Sequence, residues 1–157
     1  MSLGRLIIPS PLGPLYLTSE GESLTSILYA PSFGTEEPTP FLRKVAEELS
    51  RYFKGDLIEF SFPFKFNKGT PFQQKVWLHL LSIPYGKTMS YSDFANSLGT
   101  ALRPTASALG KNPLAILLAC HRVIGKNGAL TGYNGGLDKK QHLLELEKHV
   151  IQSALAC

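Results

Sequence analysis

Residues 90–109 read SYSDFANSLGTALRPTASAL, and this stretch decides the fold class. Ser90 is a favoured N-cap residue, and Asp93 three positions on approximates a capping box, so a short helix is expected over Ser90–Leu98. Gly99 can take the left-handed backbone that ends a helix. Pro104 opens a second short helix, Pro104–Leu109, because a proline at a helix start lacks only an N–H that would be unbonded anyway. It also biases Arg103 to an extended backbone, which sets that arginine at the leading tip. Two short helices joined near a glycine suggest a helix-turn-helix. The second carries Thr105, Ala106, Ser107, Ala108 and Gly110, small enough to let its backbone approach a surface such as a nucleic-acid groove. A solvated surface arginine and plain helix packing would account for the same residues.

Downstream, Leu114–Leu118 is an apolar run that must be buried, and it ends in Ala119-Cys120-His121-Arg122. A cysteine there is most often an inert core residue. His121 as base and Arg122 as positive charge would instead favour the thiolate, the nucleophilic form. In an extended backbone Cys120 and His121 would point to opposite sides, so direct contact needs a bend or a bridging water. The glycine-rich stretch Gly125–Gly136, with Tyr133 and Asn134, can wrap a small group. A last helix is expected over Asp138–Val150. Glu147 lies at the edge of its apolar stripe, either solvated or buried against a histidine. Cys157, at the chain end, is given no role.

Upstream, Thr70–Ile83 reads as a helix, with Thr70 as N-cap and Pro71 at the first position. Pro63–Thr70 reads as a linker, dividing the chain into domains at 1–66 and 70–157. The first third offers short strands at Arg5–Ser10, Leu15–Ser19 and Leu24–Tyr29, separated by turn residues. Thr39–Phe53 has helical periodicity, with Phe41, Val45, Leu49 and Phe53 at four-residue steps. Leu57–Phe62 alternates like a half-buried strand.

At 157 residues and 43% hydrophobic, the chain can bury a real core, and its longest apolar run is far below the ~20 residues of a membrane span. Met1–Leu17 lacks the apolar core of a secretory signal. Two cysteines exclude a disulfide scaffold or a cysteine-rich zinc module, so a cytoplasmic protein with reduced thiols is expected. Residues 71–157 hold nine Lys and Arg against four Asp and Glu, whereas residues 1–70 hold seven against eight. A basic half attracts polyanions, nucleic acid being the commonest, although a basic surface without a partner has the same charge.

Taken together, these segments resemble the O6-alkylguanine-DNA alkyltransferases, densely over residues 70–148 and in outline before them. The family's Pro-Cys-His-Arg-Val run stands here as Ala119-Cys120-His121-Arg122-Val123. Thr70-Pro71-Phe72-Gln73 with Val76-Trp77, Ile83-Pro84-Tyr85-Gly86-Lys87, Ser90-Tyr91, Asn112-Pro113, Thr131-Gly132-Tyr133, Gly135-Gly136-Leu137, Lys140, Leu143-Leu144 and Glu147 fall at family spacing. The resemblance implies an α+β fold: a small ribonuclease H-like domain of antiparallel sheet plus helix, then a mainly helical domain with a helix-turn-helix. It implies a monomer that binds double-stranded DNA containing O6-alkylguanine, flips the base, and takes the alkyl group irreversibly onto Cys120, once per molecule. O4-alkylthymine would be a second substrate. No cofactor, metal or membrane is implied, since the N-terminal part lacks the cysteine of the zinc site some members carry.

By the same resemblance, His121 takes the thiol proton through a water, Glu147 orients the imidazole and Asn112 braces the cysteine's turn. Tyr91 donates to the flipped base. Val123, Tyr133, Asn134 and Gly135 surround it. Arg103 fills the gap left in the duplex, and Thr105, Ala106, Ser107, Gly110 and Arg122 complete the DNA-binding set. Ala119 in place of proline is expected to loosen the backbone carrying the nucleophile. Ala115 stands where some members have a pocket proline. A lesion binder without transfer activity is the alternative, with a cysteine hydrolase and a transcriptional regulator behind it.

Overall fold

The computed structural model describes residues 2–128, 132–133 and 135–155. The chain forms two compact units. One runs from the N-terminus through Asn67 and takes in Pro113–Ala115; the other comprises Lys68–Asn112 and the chain from Ile116 onward.

In the first unit, β1 (Leu3–Ile8), β2 (Leu15–Glu20) and β3 (Ser23–Leu28) form an antiparallel meander in that order. Leu15, Leu17 and Ser19 alternate onto its buried face. Helix α1 (Pro40–Phe53) covers that sheet and starts at Thr39, whose hydroxyl accepts the Leu42 N–H at 3.1 Å. Its buried stripe is Leu42, Val45, Leu49 and Tyr52. Steps of three and four follow the 3.6-residue period, whereas the constant four-residue steps of Phe41, Val45, Leu49 and Phe53 drift around the helix.

Two other expectations fail here. Leu57–Phe62 is not a strand. The segment is anchored to α1 by its side chains instead: Ser61 bonds the Glu48 carboxylate through N–H and hydroxyl, and Phe60 packs on Tyr52 with ring centroids 5.4 Å apart. The nominal linker contributes Phe64, which pairs with Leu24 of β3. Pro113–Ala115 returns to the same strand, with Ile27 N–H on Pro113 O at 2.9 Å and Ala115 N–H on Ile27 O at 3.3 Å. The strand edge that would template aggregation is thereby occupied. Ile116, the first residue after this return, sits at φ 74, a left-handed conformation that costs roughly 1–2 kcal/mol in a branched residue.

The second unit opens with α2 (Pro71–His79). Thr70 and Gln73 close a full capping box: Thr70 Oγ1 accepts the Gln73 N–H at 3.1 Å, and Gln73 Oε1 accepts the Thr70 N–H at 2.9 Å. The helix ends at His79, and one 3-10 turn, Leu80–Ser82, carries the chain on toward Ile83. Strand β4 (Met89–Ser90) leads into α3 (Tyr91–Leu98), where Ser90 Oγ accepts the Asp93 N–H at 3.0 Å. Gly99, at φ 76, terminates it in the left-handed region.

Helix α4 spans Leu102–Leu109 and starts two residues before Pro104. The whole first turn of a helix has unbonded N–H groups, so a proline inside it marks the turn and not its first residue. Arg103 is therefore helical, not extended. Trp77, fully buried, donates Nε1–H to Ala108 O at 2.7 Å and ties α2 to α4. Strand β5 (Val123–Ile124) pairs parallel with β4, Met89 opposite Val123 and Ser90 opposite Ile124. The last helix, α5 (Leu137–Leu155), is longer than its apolar stripe indicates. Among the described residues no helix is long and apolar enough to cross a membrane.

Candidate active site

The short β4–β5 ladder is what assembles the site. It sets Tyr91, the residue after β4, beside Cys120–Arg122, the 3-10 turn before β5. Ala119 just ahead of that turn has φ −75 and ψ 66, and the Cys120 N–H reaches Leu118 O at 2.7 Å. This is an inverse γ-turn. Asn112, itself buried, donates Nδ2–H to the same Leu118 carbonyl at 2.7 Å and also bonds the Cys120 thiol. The turn is held from both sides, so alanine does not leave it loose. The φ of Ala119 lies within proline's range of about −65 ± 15°. Ala119→Pro is therefore expected to stabilise the fold by about 0.4–1 kcal/mol through the unfolded chain. Thermal melting measures this; a lowered melting temperature would show that the Ala119 N–H or the Leu118 backbone cannot accept the ring.

Behind the cysteine lies a buried polar cluster. His121 Nε2 is 2.8 Å from Glu147 Oε2, with both side chains fully buried. Arg122 clamps the same carboxylate, Nε to Oε1 at 2.8 Å and Nη2 to Oε2 at 3.0 Å, and its Nη1 bonds Ile83 O at 2.8 Å. The Gly86 N–H adds a bond to Glu147 Oε1 at 3.2 Å. Gly86 is fixed by φ 79 and by Ile151, which a β-carbon there would strike at 2.4 Å. Burial would raise the Glu147 pKa, but the bonds and charges of His121 and Arg122 hold it well below the usual carboxylate range. Burial pushes His121 down against the opposing pull of Glu147, with Arg122 and Lys140 adding to the lowering, so the ring is neutral near pH 7. A neutral ring facing a carboxylate carries its proton on Nε2. That leaves Nδ1 as a lone-pair acceptor, and among the described residues this buried atom has no hydrogen-bond partner. Burial pushes the Cys120 thiol up, while the Asn112 bond and the Lys140 charge pull it back.

Cys120 opens into a cavity of about 560 Å³ whose walls include Tyr91, Tyr133 and Gly132 on one side and Leu102, Ala106 and Gly110 on the other. Lys140 supports the first wall. It is fully buried, and its Nζ donates to Val123 O at 2.7 Å, Gly132 O at 3.2 Å and Tyr91 OH at 3.4 Å. The Tyr91 hydroxyl also donates to Gly132 O over 3.5 Å. Both contacts are at the long end of the hydrogen-bond range. Val123 O accepts from Lys140 at the edge of this wall. Gly135 is half-buried. Asn134 lies outside the described residues, as does Cys157.

The residues grouped by resemblance as DNA-binding occupy different environments. Arg103 and Ser107, one turn apart on α4, are exposed. Ala106 and Gly110 line the cavity with Leu102. Thr105 is fully buried, and its hydroxyl is bonded to Thr100 Oγ1 and Ala101 O, both at 2.7 Å, so it serves the helix start and reaches no ligand. Arg122 is turned inward onto Glu147 and is not offered to phosphates. The sequence reading gave Lys140 and Leu102 no place in the site. Lys140 was detectable: with Leu143 and Glu147 it forms an i, i+3, i+7 face, which is the buried face of α5. Among the described residues no group of three His, Cys, Asp or Glu side chains is placed to hold a metal ion.

A half-buried thiol braced at a turn, backed by a neutral histidine on a carboxylate and open to a cavity, defines a cysteine-nucleophile enzyme. The family model described as the DNA binding domain of 6-O-methylguanine DNA methyltransferase matches residues 71–149, and that of its ribonuclease-like domain matches residues 5–66. A methylated-DNA–protein-cysteine methyltransferase of Mycobacterium tuberculosis is 47% identical over 150 residues, covering 90% of each chain. A crystal structure of the O6-methylguanine methyltransferase of M. tuberculosis superposes with a TM-score of 0.84 at 43% identity, over 94% of both chains. A crystal structure described as that organism's enzyme in complex with DNA gives 0.83 at 45%, over 92% of both. The chain belongs to the methylated-DNA–protein-cysteine methyltransferases.

Proposed function

We propose that this protein repairs duplex DNA by moving the alkyl group of O6-alkylguanine, and of O4-alkylthymine, onto Cys120, once per molecule, acting as a monomer in a reducing cytoplasm. The observation that carries the reading is the Cys120 thiol at the cavity, followed in the same turn by a buried His121 whose Nδ1 is open and whose ring Glu147 fixes. The S–H proton passes to His121 through a bridging water. The sulfur attacks the alkyl carbon, the C–O6 bond breaks with its electron pair going to the base, and the guanine anion leaves and takes up one proton, equivalent to the one lost by the thiol. Tyr91 donates a hydrogen bond to the departing base, and Val123 O accepts from its exocyclic amine. The thioether has no leaving group that water displaces, so the protein is consumed.

The alkyl carbon in a stacked duplex is out of reach, so the base rotates out at a cost of a few kcal/mol. The α3–turn–α4 pair acts as a helix-turn-helix. Arg103, exposed in the first turn of α4, enters the vacated stack, and Ala106 and Gly110 let the helix lie close to the groove. Arg103→Ala is expected to slow transfer from duplex about tenfold or more while changing reaction with the free base O6-methylguanine less than about twofold. Equal losses on both substrates, measured in single-turnover assays, would remove the stacking role.

The lesion-binding alternative predicts tight, nontransferring complexes. The buried His121–Glu147 pair in the nucleophile's own turn favours transfer, because a binder has no need of a proton acceptor there.

A further inference from the structure

Arg122 has a place in the reaction that its position next to the nucleophile's histidine does not by itself reveal. Its Nη2 and the His121 Nε2 donate to one and the same oxygen, Glu147 Oε2, at 3.0 and 2.8 Å. The guanidinium already supplies the one positive charge that this buried carboxylate balances. A second cation on the same oxygen would leave the cluster with an uncompensated charge away from water. We propose that Arg122 is a positioning residue for alkyl transfer: by occupying both Glu147 oxygens it keeps His121 in the form whose Nδ1 accepts the thiol proton. The inference rests on the transfer reading given above and deepens it.

The groups that face His121 pull in opposite directions. From α5 come Glu147, which favours the imidazolium, and Lys140, which disfavours it; from its own turn, Arg122 disfavours it as well. Cys120 precedes it in that turn. Tyr85, whose ring lies 5.5 Å beneath the Arg122 guanidinium, faces Glu147 from the preceding loop, and burial first and Glu147 second push its pKa up to about 12, so it stays neutral. Without Arg122, Glu147 would hold an imidazolium, and its Nδ1 would become a donor that cannot take a proton.

The test is the pH profile of single-turnover methyl transfer from an O6-methylguanine duplex, for the wild type, Arg122→Gln and Arg122→Lys. The expected result for Arg122→Gln is an acid limb moved to higher pH by on the order of one unit, with the rate recovering toward wild type in alkali. Arg122→Lys keeps the charge but not the two-pronged geometry and should fall between. It also provides the readout if the glutamine variant does not fold. A uniform loss at every pH with the acid limb in place, or no change at all, would overturn the proposal. The His121 ring titration, followed by NMR in substrate-free protein, should move upward in the same variants, and an unmoved titration would equally overturn it. That reading needs no alkyl transfer, so it separates failure of this inference from failure of the transfer function.

Discussion

Cys120→Ser is expected to take up no alkyl group from an alkylated duplex while still binding it. The serine hydroxyl keeps the shape of the turn and the Asn112 contact, so the fold and the cavity survive. It is a far poorer nucleophile, because a hydroxyl does not ionise where a thiol can. Transfer should fall roughly 10³-fold or more. Mass analysis counts the groups transferred, and a gel shift reports binding. Undiminished transfer in this variant would remove Cys120 from the mechanism. The same variant distinguishes the lesion-binding alternative, under which wild type and Cys120→Ser would behave alike.

Glu147→Gln should be the other large effect, on both stability and rate. The carboxylate accepts from His121, twice from Arg122 and from the Gly86 N–H. An amide leaves the Arg122 charge buried without a counter-charge, which costs about 3–5 kcal/mol. For a chain of this size that is a fall in melting temperature of about 10 °C. An amide can also present N–H to the ring, so the tautomer with an open Nδ1 is no longer fixed, and transfer should drop about 10²-fold or more. A variant that melts and reacts like wild type would contradict both roles. The pH dependence of stability has a definite sign. His121 and Glu147 both titrate lower in the folded protein than in the unfolded chain, so the unfolded chain binds more protons in acid. Their contribution is complete above the usual histidine range and is lost as pH falls, first through about 6.5 and then through about 4.5. Denaturant midpoints should hold steady from pH 8 to about 7 and fall from there toward pH 4. A flat profile would mean that the cluster does not hold its folded charge state.

What the sequence disclosed followed from how local the physics is. Ser90, Thr70 and Gly99 act within one helical turn, so their capping roles could be read directly. The three strands of the first third were legible from composition and the turn residues between them and the helix from its period, but the stripe on α1 needed the 3.6-residue count and not repeated fours. Leu57–Phe62 misled because its side chains are anchored to α1 while its backbone forms no strand. Pro113–Ala115 could not be assigned to β3 from sequence, since its partners lie more than eighty residues earlier in the chain.

In the site, Cys120, His121 and Glu147 stood out by type, whereas Tyr91 entered only through the family resemblance; all four are brought to one cluster and its cavity. The residues that hold them did not. Thr105 and Arg122 look like ligands for phosphate in a basic segment, and only burial shows that each is bonded to the protein itself. Lys140 shows the converse. A lysine is assigned to solvent by habit, yet here its ammonium is satisfied by Val123 and Gly132 carbonyls within a buried wall.

The most direct test of the central claim is intact and peptide mass analysis after mixing the protein with duplex DNA carrying O6-methylguanine. One added methyl group, mapped to Cys120 and saturating at one per protein whatever the excess of DNA, is the predicted result. Binding with no gain in mass, or a methyl group carried on any other residue, would contradict it.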